Sequence, residues 1–171
     1  SGSDSTLKRM NRHYTTHEYR QSVEMLRAAF GRPAITTDVI VGFPQETEEE
    51  FAETKAFLEE IGFFEMHIFK YSKRKGTIAA NMPGQVPDPV KTERSNILLE
   101  LEGRQSKDFR SFYLGKEAEV LFEESKEIKG VTYQIGHTKD YVKVAVVSDE
   151  DLVNELKTVK VERFLLDDVL N

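Results

Sequence analysis

Residues 35–43 read ITTDVIVGF, a nearly continuous run of apolar and β-branched side chains. Such a run predicts a strand of a parallel sheet that is covered on both faces. Downstream, Thr47 and Glu50 have the spacing of a capping box, which predicts a helix that ends at Gly62. The next apolar run, FFEMHIFKY at 63–71, predicts a second strand. Strand, helix and strand in this order predict a βαβ unit with parallel strands and a right-handed crossover.

Another helix is predicted before the first strand. Thr15 and Glu18 form a second capping box, and Gly31 followed by Pro33 marks the helix end. One buried face is predicted from the spacing of the apolar positions Tyr19, Val23, Leu26 and Phe30. Two strands cannot close a barrel or cover a sheet, so we expect the remaining strands to precede Ser1. We therefore interpret the chain as a piece of a larger α/β protein.

The second half of the chain has a different pattern. The proline-rich segment MPGQVPDP at 82–89 predicts a linker, and a long helix is predicted from Asp88 toward Gly115. Beyond Lys116, short alternating runs predict a compact antiparallel barrel of about five strands. These runs are AEVLF, VTYQIG, YVKVAVV and TVKVERFLL. The predicted organisation is an α/β portion at 1–81, a linker and helix at 82–115, and a β-barrel at 116–171.

Composition limits the chemistry of the chain. Its 171 residues include no cysteine, which excludes disulfides, zinc–thiolate sites, cysteine nucleophiles and thiolate-held iron–sulfur clusters built by this chain alone. No segment approaches the roughly 18 apolar residues of a membrane span, and the N-terminus lacks the apolar region of a signal peptide. We expect a cytoplasmic protein without a membrane partner. The net charge of −6 argues weakly against nucleic acid, although phosphates contact local patches rather than averages.

Candidate site residues follow the two predicted strands. Ligands of parallel α/β sheets bind beyond the carboxyl ends of the strands, which here are residues 42–46 and 71–74. Asp38 interrupts the first apolar run, and a buried carboxylate there would need a partner. A structural hydrogen bond to the neighbouring turn would meet that need equally well. His13 and His67 are too isolated in the sequence to predict a metal site.

Basic residues beside an aromatic residue suggest a surface for RNA. The segment GHTKDYVKV at 136–144 combines a predicted turn with Lys139, Tyr141 and Lys143. Bases stack on aromatic rings while cations contact phosphates, and a small β-barrel suits this role. A second basic cluster lies at 73–75. A plain hairpin and an ordinary solvated surface remain the alternatives.

Three segments in this order resemble motifs of one enzyme family. They are SGSDSTLKRMNRHYT at 1–15, TTDVIVGFPQETEEEF at 36–51 and FKYSKRKGT at 69–77. They resemble the radical SAM methylthiotransferases that modify tRNA adenosine beside the anticodon, and residues 116–171 resemble their C-terminal TRAM domain. The resemblance implies the C-terminal portion of a radical SAM, partial TIM-like α/β barrel followed by a TRAM-type β-barrel. Gln45 stands where the family usually has Gly, which makes the geometry of that turn less certain to match.

The resemblance also implies cofactors and a reaction. Full-length members bind S-adenosylmethionine and two 4Fe–4S clusters held by cysteines, and they transfer sulfur and a methyl group to C2 of the adenine. Both cysteine sets are missing here, so this chain alone is predicted to be inactive. It could supply only part of the S-adenosylmethionine pocket and the tRNA-binding surface. The matching positions for the cofactor are Ser1, Gly2, Ser3, Arg12, Asp38, Val41 and Gly42, and Arg12 would pair with the cofactor carboxylate.

The expected RNA contacts are Lys73, Arg74, Lys75, His137, Lys139, Tyr141 and Lys143. The run MHIFKYSKRKGT, with Arg74, most resembles the branch that acts on threonylcarbamoyladenosine. The alternatives are the branches that act on isopentenyladenosine in tRNA and on a ribosomal protein, and a free-standing RNA-binding module with no catalytic parent. Expected partners are the anticodon region of tRNA and the missing N-terminal part of the polypeptide. The incomplete sheet also predicts self-association through its unpaired edge.

Overall fold

The computed structural model describes residues 1–148 and 150–171 of the chain. The chain divides into two units, residues 1–105 and residues 106–171, here called unit 1 and unit 2. No helix in the described part of the chain has the length and apolar composition needed to cross a membrane.

Unit 1 contains the predicted βαβ arrangement. Its elements are α1 (Asp4–Arg9), α2 (Thr16–Phe30), β1 (Thr36–Val41), α3 (Glu48–Ile61), β2 (Glu65–Lys70), α4 (Ile78–Asn81) and most of α5 (Asp88–Ser111). Strands β1 and β2 pair in parallel, as predicted, with Asp38 opposite His67 and Ile40 opposite Phe69. Both predicted capping boxes are confirmed, because each cap threonine and its glutamate exchange hydrogen bonds with the other's backbone N–H.

The core of unit 1 lies on one face of this sheet. Val39 and Val41 of β1 are buried among side chains of α2, α3, β2 and α5, namely Val23, Phe51, Phe57, Leu58, Ile61, Met66, Leu98 and Leu101. The opposite face carries Asp38 and Phe69, which are exposed. The prediction that β1 is covered on both faces is therefore wrong for the described residues, because the core packs against only one of them. Asp38 accordingly needs no buried partner.

Helix α2 is also less covered than its pattern predicted. Val23 is buried, but Leu26 and Phe30 on the same apolar stripe are exposed. Arg27 anchors the second half of the helix by donating a hydrogen bond to the Gly62 carbonyl at 3.0 Å. The apolar spacing predicts which residues of α2 could be buried. In the described part of unit 1, other residues cover only the N-terminal half of that apolar face.

Unit 2 is a six-stranded mixed sheet rather than the predicted five-stranded antiparallel barrel. Its strands are β3 (Glu117–Ile128), β4 (Val131–Thr138), β5 (Lys143–Val147), β6 (Leu156–Lys160), β7 (Phe164–Leu166) and β8 (Val169–Leu170). They follow the order β6-β3-β4-β5-β8-β7, and no pairing of β6 with β7 closes the sheet among the described residues. Strands β5 and β8 pair in parallel.

The last predicted strand, TVKVERFLL, forms two separate strands, β6 and β7, and the residues between them bond to the C-terminal residue Asn171. Backbone N–H groups of Glu162 and Arg163 donate to the Asn171 carbonyl at 2.7 and 3.0 Å, and Asn171 N–H donates to the Arg163 carbonyl at 2.8 Å. Strand β8, which directly precedes Asn171, pairs with β5, and alternation in the sequence did not predict this pairing.

The interior of unit 2 is filled by residues from five of its segments. Val120, Phe122, Val142, Val144, Val161 and Leu170 have no exposed surface. Strands β3 and β4 are joined by Lys129 and Gly130, both with positive φ (52° and 78°), as a two-residue hairpin turn requires. Gly136 is needed in β4, because a Cβ there would lie 2.1 Å from the Leu121 carbonyl oxygen.

Candidate functional site

A cleft of about 500 Å³ opens on the uncovered face of the unit 1 sheet. It is lined by residues of α1, β1, β2 and α4, of the loops that follow α1, β1 and β2, and by Ser1 before α1. The lining comprises Ser1, Leu7, Met10, Arg12, Tyr14, Asp38, Ile40, Phe43, Phe69, Lys70, Tyr71, Ser72, Arg74, Thr77 and Ala79. Its volume lies within the range of small-molecule sites.

The strand period explains which β1 side chains reach the cleft. Successive side chains of a strand point to opposite faces, so Asp38 and Ile40 face the cleft while Val39 and Val41 enter the core. Beyond the strand ends, Tyr71 N–H donates to the Val41 carbonyl at 2.9 Å and extends the pairing. Phe43 then meets Tyr71 edge to face, with ring centroids 5.3 Å apart.

Arg12 lines the cleft three residues after the end of helix α1, and hydrogen bonds of Arg9 hold the end of that helix in place. In the run KRMNR, Arg9 donates a hydrogen bond from Nη1 to Glu50 Oε1 at 2.8 Å and a second one to Oε2. The Arg9 guanidinium holds the pKa of Glu50 below its usual range. Asn11 then adopts a positive φ of 58°, and Arg12 follows as a cleft residue. The first arginine of the motif is therefore structural, and the second faces the cleft.

The Tyr71 hydroxyl is an unusual feature of the cleft. It is buried and has no hydrogen-bond partner within residues 1–148 and 150–171. Leaving a buried hydroxyl unpaired costs free energy, so such groups in native structures call for a further partner such as a ligand or water. Tyr71 lines the cleft, and a ligand bound there would have to displace neighbouring side chains to reach this hydroxyl.

A buried ion-pair network supports the loop between β1 and α3. The Arg94 guanidinium donates to Glu46 Oε1 at 2.7 Å, and Gly42 N–H donates to the same oxygen at 2.8 Å. Arg94 also donates to Glu48 Oε1 at 2.6 Å. Burial raises the pKa of Glu46, and the hydrogen bonds from Gly42 and Arg94 oppose that rise. Sequence patterns could not reveal this pair, because its members lie 48 residues apart.

Gln45, which replaces the expected glycine, sits in a strained turn. Its φ is +66°, a conformation that glycine adopts freely and that costs other residues about 1 kcal/mol or more. Its N–H donates to the Gly84 carbonyl at 2.7 Å, which holds the turn in place. The turn geometry thus explains why glycine would suit this position.

The cofactor positions predicted from the resemblance divide into two groups. Ser1, Arg12 and Asp38 line the cleft together. The remaining four, Gly2, Ser3, Val41 and Gly42, are buried and do not line it. A Cβ on Gly2 would lie 2.6 Å from the Phe57 Cβ, and one on Gly42 would lie 2.3 Å from the Lys91 Cγ. The two glycines are therefore packed too closely against neighbouring side chains to carry a Cβ. The cleft also includes Phe43 and Tyr71, which lie in the predicted strand-end segments 42–46 and 71–74 but were not among the predicted cofactor positions.

The predicted RNA residues lie in both units. Lys73, Arg74 and Lys75 are exposed in the loop after β2, and Arg74 also lines the cleft. Lys139 and Tyr141 are exposed in the turn between β4 and β5 of unit 2. The remaining two, His137 and Lys143, are partly buried and paired: His137 Nδ1 lies 2.6 Å from Glu123 Oε2, and Lys143 Nζ lies 3.7 Å from Asp168 Oδ2.

Comparisons with known proteins agree with the motifs. Residues 1–58 match the model of the radical SAM superfamily. The chain is 43% identical over 162 residues to the threonylcarbamoyladenosine tRNA methylthiotransferase of Bacillus subtilis (strain 168), covering 94% of this chain and 36% of that protein. The chain is therefore similar to the radical SAM superfamily over its first third and to a tRNA methylthiotransferase over most of its length.

Other relatives are named for a different modified adenosine. The tRNA-2-methylthio-N(6)-dimethylallyladenosine synthase of Thermoanaerobacter sp. (strain X514) is 42% identical over 163 residues, covering 94% of this chain and 34% of that protein. The synthase of the same name from Oceanobacillus iheyensis is 48% identical over 128 residues, covering 74% of this chain and 25% of the relative. The chain spans about a third of the length of the first two relatives.

Proposed function

We propose that this chain supplies part of an S-adenosylmethionine pocket and a tRNA contact surface to a radical SAM tRNA methylthiotransferase. The reaction would add a methylthio group to C2 of threonylcarbamoyladenosine beside the anticodon. The observation that carries the proposal is the unit 1 cleft, which Arg12, Asp38 and Tyr71 line together on the uncovered face of a parallel strand pair.

The cleft residues fit the groups of S-adenosylmethionine. A guanidinium such as that of Arg12 forms paired hydrogen bonds with a carboxylate, and Asp38 can accept from an ammonium or a ribose hydroxyl. Phe43 and Tyr71 offer apolar ring surface to an adenine, and the Tyr71 hydroxyl offers it a hydrogen bond. When bound, S-adenosylmethionine would supply the methyl group from one molecule and radical chemistry from a second.

The residues of this chain do not fit an iron–sulfur cluster. Clusters of this kind are held mainly by cysteine thiolates, and the 171 residues contain none. Both clusters of the proposed full-length enzyme would therefore be held by residues outside this sequence. The chain's own contribution is to bind and orient the cofactor and the tRNA.

The choice of adenosine modification depends on a short segment. Identities of 43% and 42% to relatives with different named substrates do not separate the two tRNA branches. The run MHIFKYSKRKGT, with Arg74 at the edge of the cleft, favours threonylcarbamoyladenosine. The isopentenyladenosine branch is the second candidate, and it is supported by the dimethylallyladenosine synthases among the relatives. The ribosomal-protein branch and a non-catalytic RNA-binding module are weaker alternatives.

Replacing Arg12 tests the cofactor cleft. Arg12→Ala is expected to weaken binding of S-adenosylmethionine by the chain about tenfold or more, because a charge-assisted hydrogen bond contributes about 1.5–3 kcal/mol. Tyr71→Phe, which removes only the hydroxyl, should weaken it several-fold. Isothermal titration calorimetry measures both. Arg104→Ala removes an exposed arginine outside the cleft and serves as the matched control. Equal affinity of Arg12→Ala and wild type, or no binding by wild type, would contradict the cleft assignment.

A salt titration tests the RNA surface. Binding of a tRNA anticodon arm should weaken steeply with salt, because phosphate contacts release counterions. Replacing Lys139 and Lys143 together by Ala should reduce the slope of log K against log salt by about 0.7–0.9 for each phosphate that is no longer neutralised. Lys139 should account for more of this reduction, since Lys143 is already paired with Asp168. Lys126→Ala, another exposed lysine of unit 2, is the control. Identical slopes for all three proteins would exclude the turn between β4 and β5 as the contact.

A further inference from the structure

Two aromatic rings stack at the surface of unit 2. The His137 and Tyr141 ring centroids lie 4.9 Å apart with their planes 28° apart. Tyr141 is nevertheless 73% exposed, so most of its ring surface remains open to a ligand. Lys139 lies between the two residues in sequence and is also exposed. The turn between β4 and β5 therefore exposes the Tyr141 ring together with the nearby cation of Lys139.

The turn holds Tyr141 in a demanding conformation. Its φ is +64°, in the left-handed region that bulky residues rarely occupy. Tyr141 N–H donates to the Thr138 carbonyl at 2.9 Å, and Val142 N–H donates to the Thr138 hydroxyl at 3.1 Å. The neighbouring Asp140 carboxylate accepts a hydrogen bond from the Tyr113 hydroxyl. Strain of this kind persists only where the surroundings impose it, and it concentrates at functional sites.

A β-bulge fixes the second ring. Pairing of β3 with β4 passes from Phe122 opposite Gly136 to Glu124 opposite Ile135, which leaves Glu123 as the extra residue. Bulges turn side chains toward new directions. Glu123 Oε2 reaches His137 Nδ1 at 2.6 Å, so the carboxylate sets the orientation of the imidazole against which Tyr141 stacks.

We propose that the His137–Tyr141 ring pair is a stacking platform for one unpaired base of single-stranded RNA, with Glu123 as the residue that positions it. The proposal rests on the RNA contact proposed above and specifies the chemical group that binds there. Unpaired bases stack on exposed aromatic rings, whereas bases within a duplex are already stacked and inaccessible. Lys139 is placed to contact the adjoining phosphate. A preset ring pair reduces the ordering cost of binding.

A fluorescent base tests the platform directly. The probe is a short single-stranded RNA containing 2-aminopurine, whose emission falls when the base stacks on an aromatic ring. Wild-type chain is expected to quench the emission. Tyr141→Ala should abolish the quenching and weaken binding about tenfold. Tyr141→Phe should retain both properties. Tyr141→Asn, which suits a positive φ, removes the ring without added backbone strain and keeps the test valid if the alanine variant unfolds.

Glu123 and a control variant separate positioning from folding. Glu123→Ala should weaken binding about threefold and reduce the quenching at saturation, because the imidazole is no longer held. Its salt slope should stay that of wild type, since all the lysines that contact phosphates are still present. Leu156→Ala removes another exposed apolar side chain of unit 2 and should match wild type in every measurement. Circular dichroism spectra should be the same for all of these proteins.

The outcomes distinguish the two proposals. Salt-dependent binding without quenching, or with quenching that survives removal of the Tyr141 ring, overturns the stacking platform and leaves the proposed RNA contact standing. Equal binding and quenching of a duplex and a single strand also overturns it. Absence of any RNA binding by wild type overturns both proposals.

Discussion

Arg94→Ala is expected to lower the free energy of unfolding of unit 1 by about 3–5 kcal/mol. The side chains of Arg94 and Glu46 are only 4% and 1% exposed. Removing the arginine leaves the Glu46 carboxylate buried with the Gly42 N–H as its remaining partner in this network. An uncompensated buried charge is costly because it is no longer hydrated. Urea denaturation followed by circular dichroism measures the change.

An exposed ion pair of similar geometry provides the matched control. Arg20 Nε lies 2.6 Å from Glu60 Oε1, but these side chains are 32% and 53% exposed. Arg20→Ala should therefore destabilise the chain far less than Arg94→Ala, because an exposed ion pair is hydrated and screened. The double variant Glu46→Gln with Arg94→Met should recover part of the stability, because the amide still accepts from Gly42 and no charge is buried. Equal destabilisation by Arg94→Ala and Arg20→Ala would contradict the importance assigned to the buried network.

The second large effect is the absence of cluster chemistry in this chain alone. Anaerobic incubation with iron and sulfide is expected to give no 4Fe–4S cluster, and addition of reductant and S-adenosylmethionine is expected to give no 5′-deoxyadenosine. The reason is that the 171 residues supply no thiolate ligand. Visible absorbance, iron analysis and chromatography of the products measure these outcomes.

The positive control is the full-length Bacillus subtilis relative treated in the same way. A stoichiometric cluster in the cysteine-free chain, or 5′-deoxyadenosine formed by it, would refute the prediction. Binding of intact S-adenosylmethionine without cleavage would agree both with this prediction and with the proposed role of the cleft.

Local features of the fold could be predicted from the sequence because short-range physics determines them. The two capping boxes formed as predicted, since each needs only a threonine and a glutamate three residues later. Parallel pairing of β1 and β2 followed from the single helix between them. Exposure was predicted less well, because the β1 sequence alone does not specify which of its faces is covered.

Features that depend on distant residues were missed. Glu46 and Arg94 meet only in the folded chain, and neither belongs to a recognisable pattern with the other. Strand β8 has two residues, too few for alternation to reveal it. The bulge at Glu123 shifts the register at the start of the polar run EESKE, where no apolar alternation marks the change. The cleft was predicted in part, because position beyond a strand end indicated Tyr71 and the resemblance indicated Ser1, Arg12 and Asp38.

The two-residue turn at Lys129 and Gly130 has a consequence for how unit 2 folds. Closing a loop costs entropy that grows with its length, so the β3–β4 hairpin, which closes a loop of two residues, is among the least costly pairings in the unit. The β3–β6 pairing and the β5–β8 pairing each join segments that are distant in sequence. The hairpin can therefore form early and serve as the template on which the other strands assemble. The pairings of β6 with β3 and of β8 with β5 would form later, because they close longer loops.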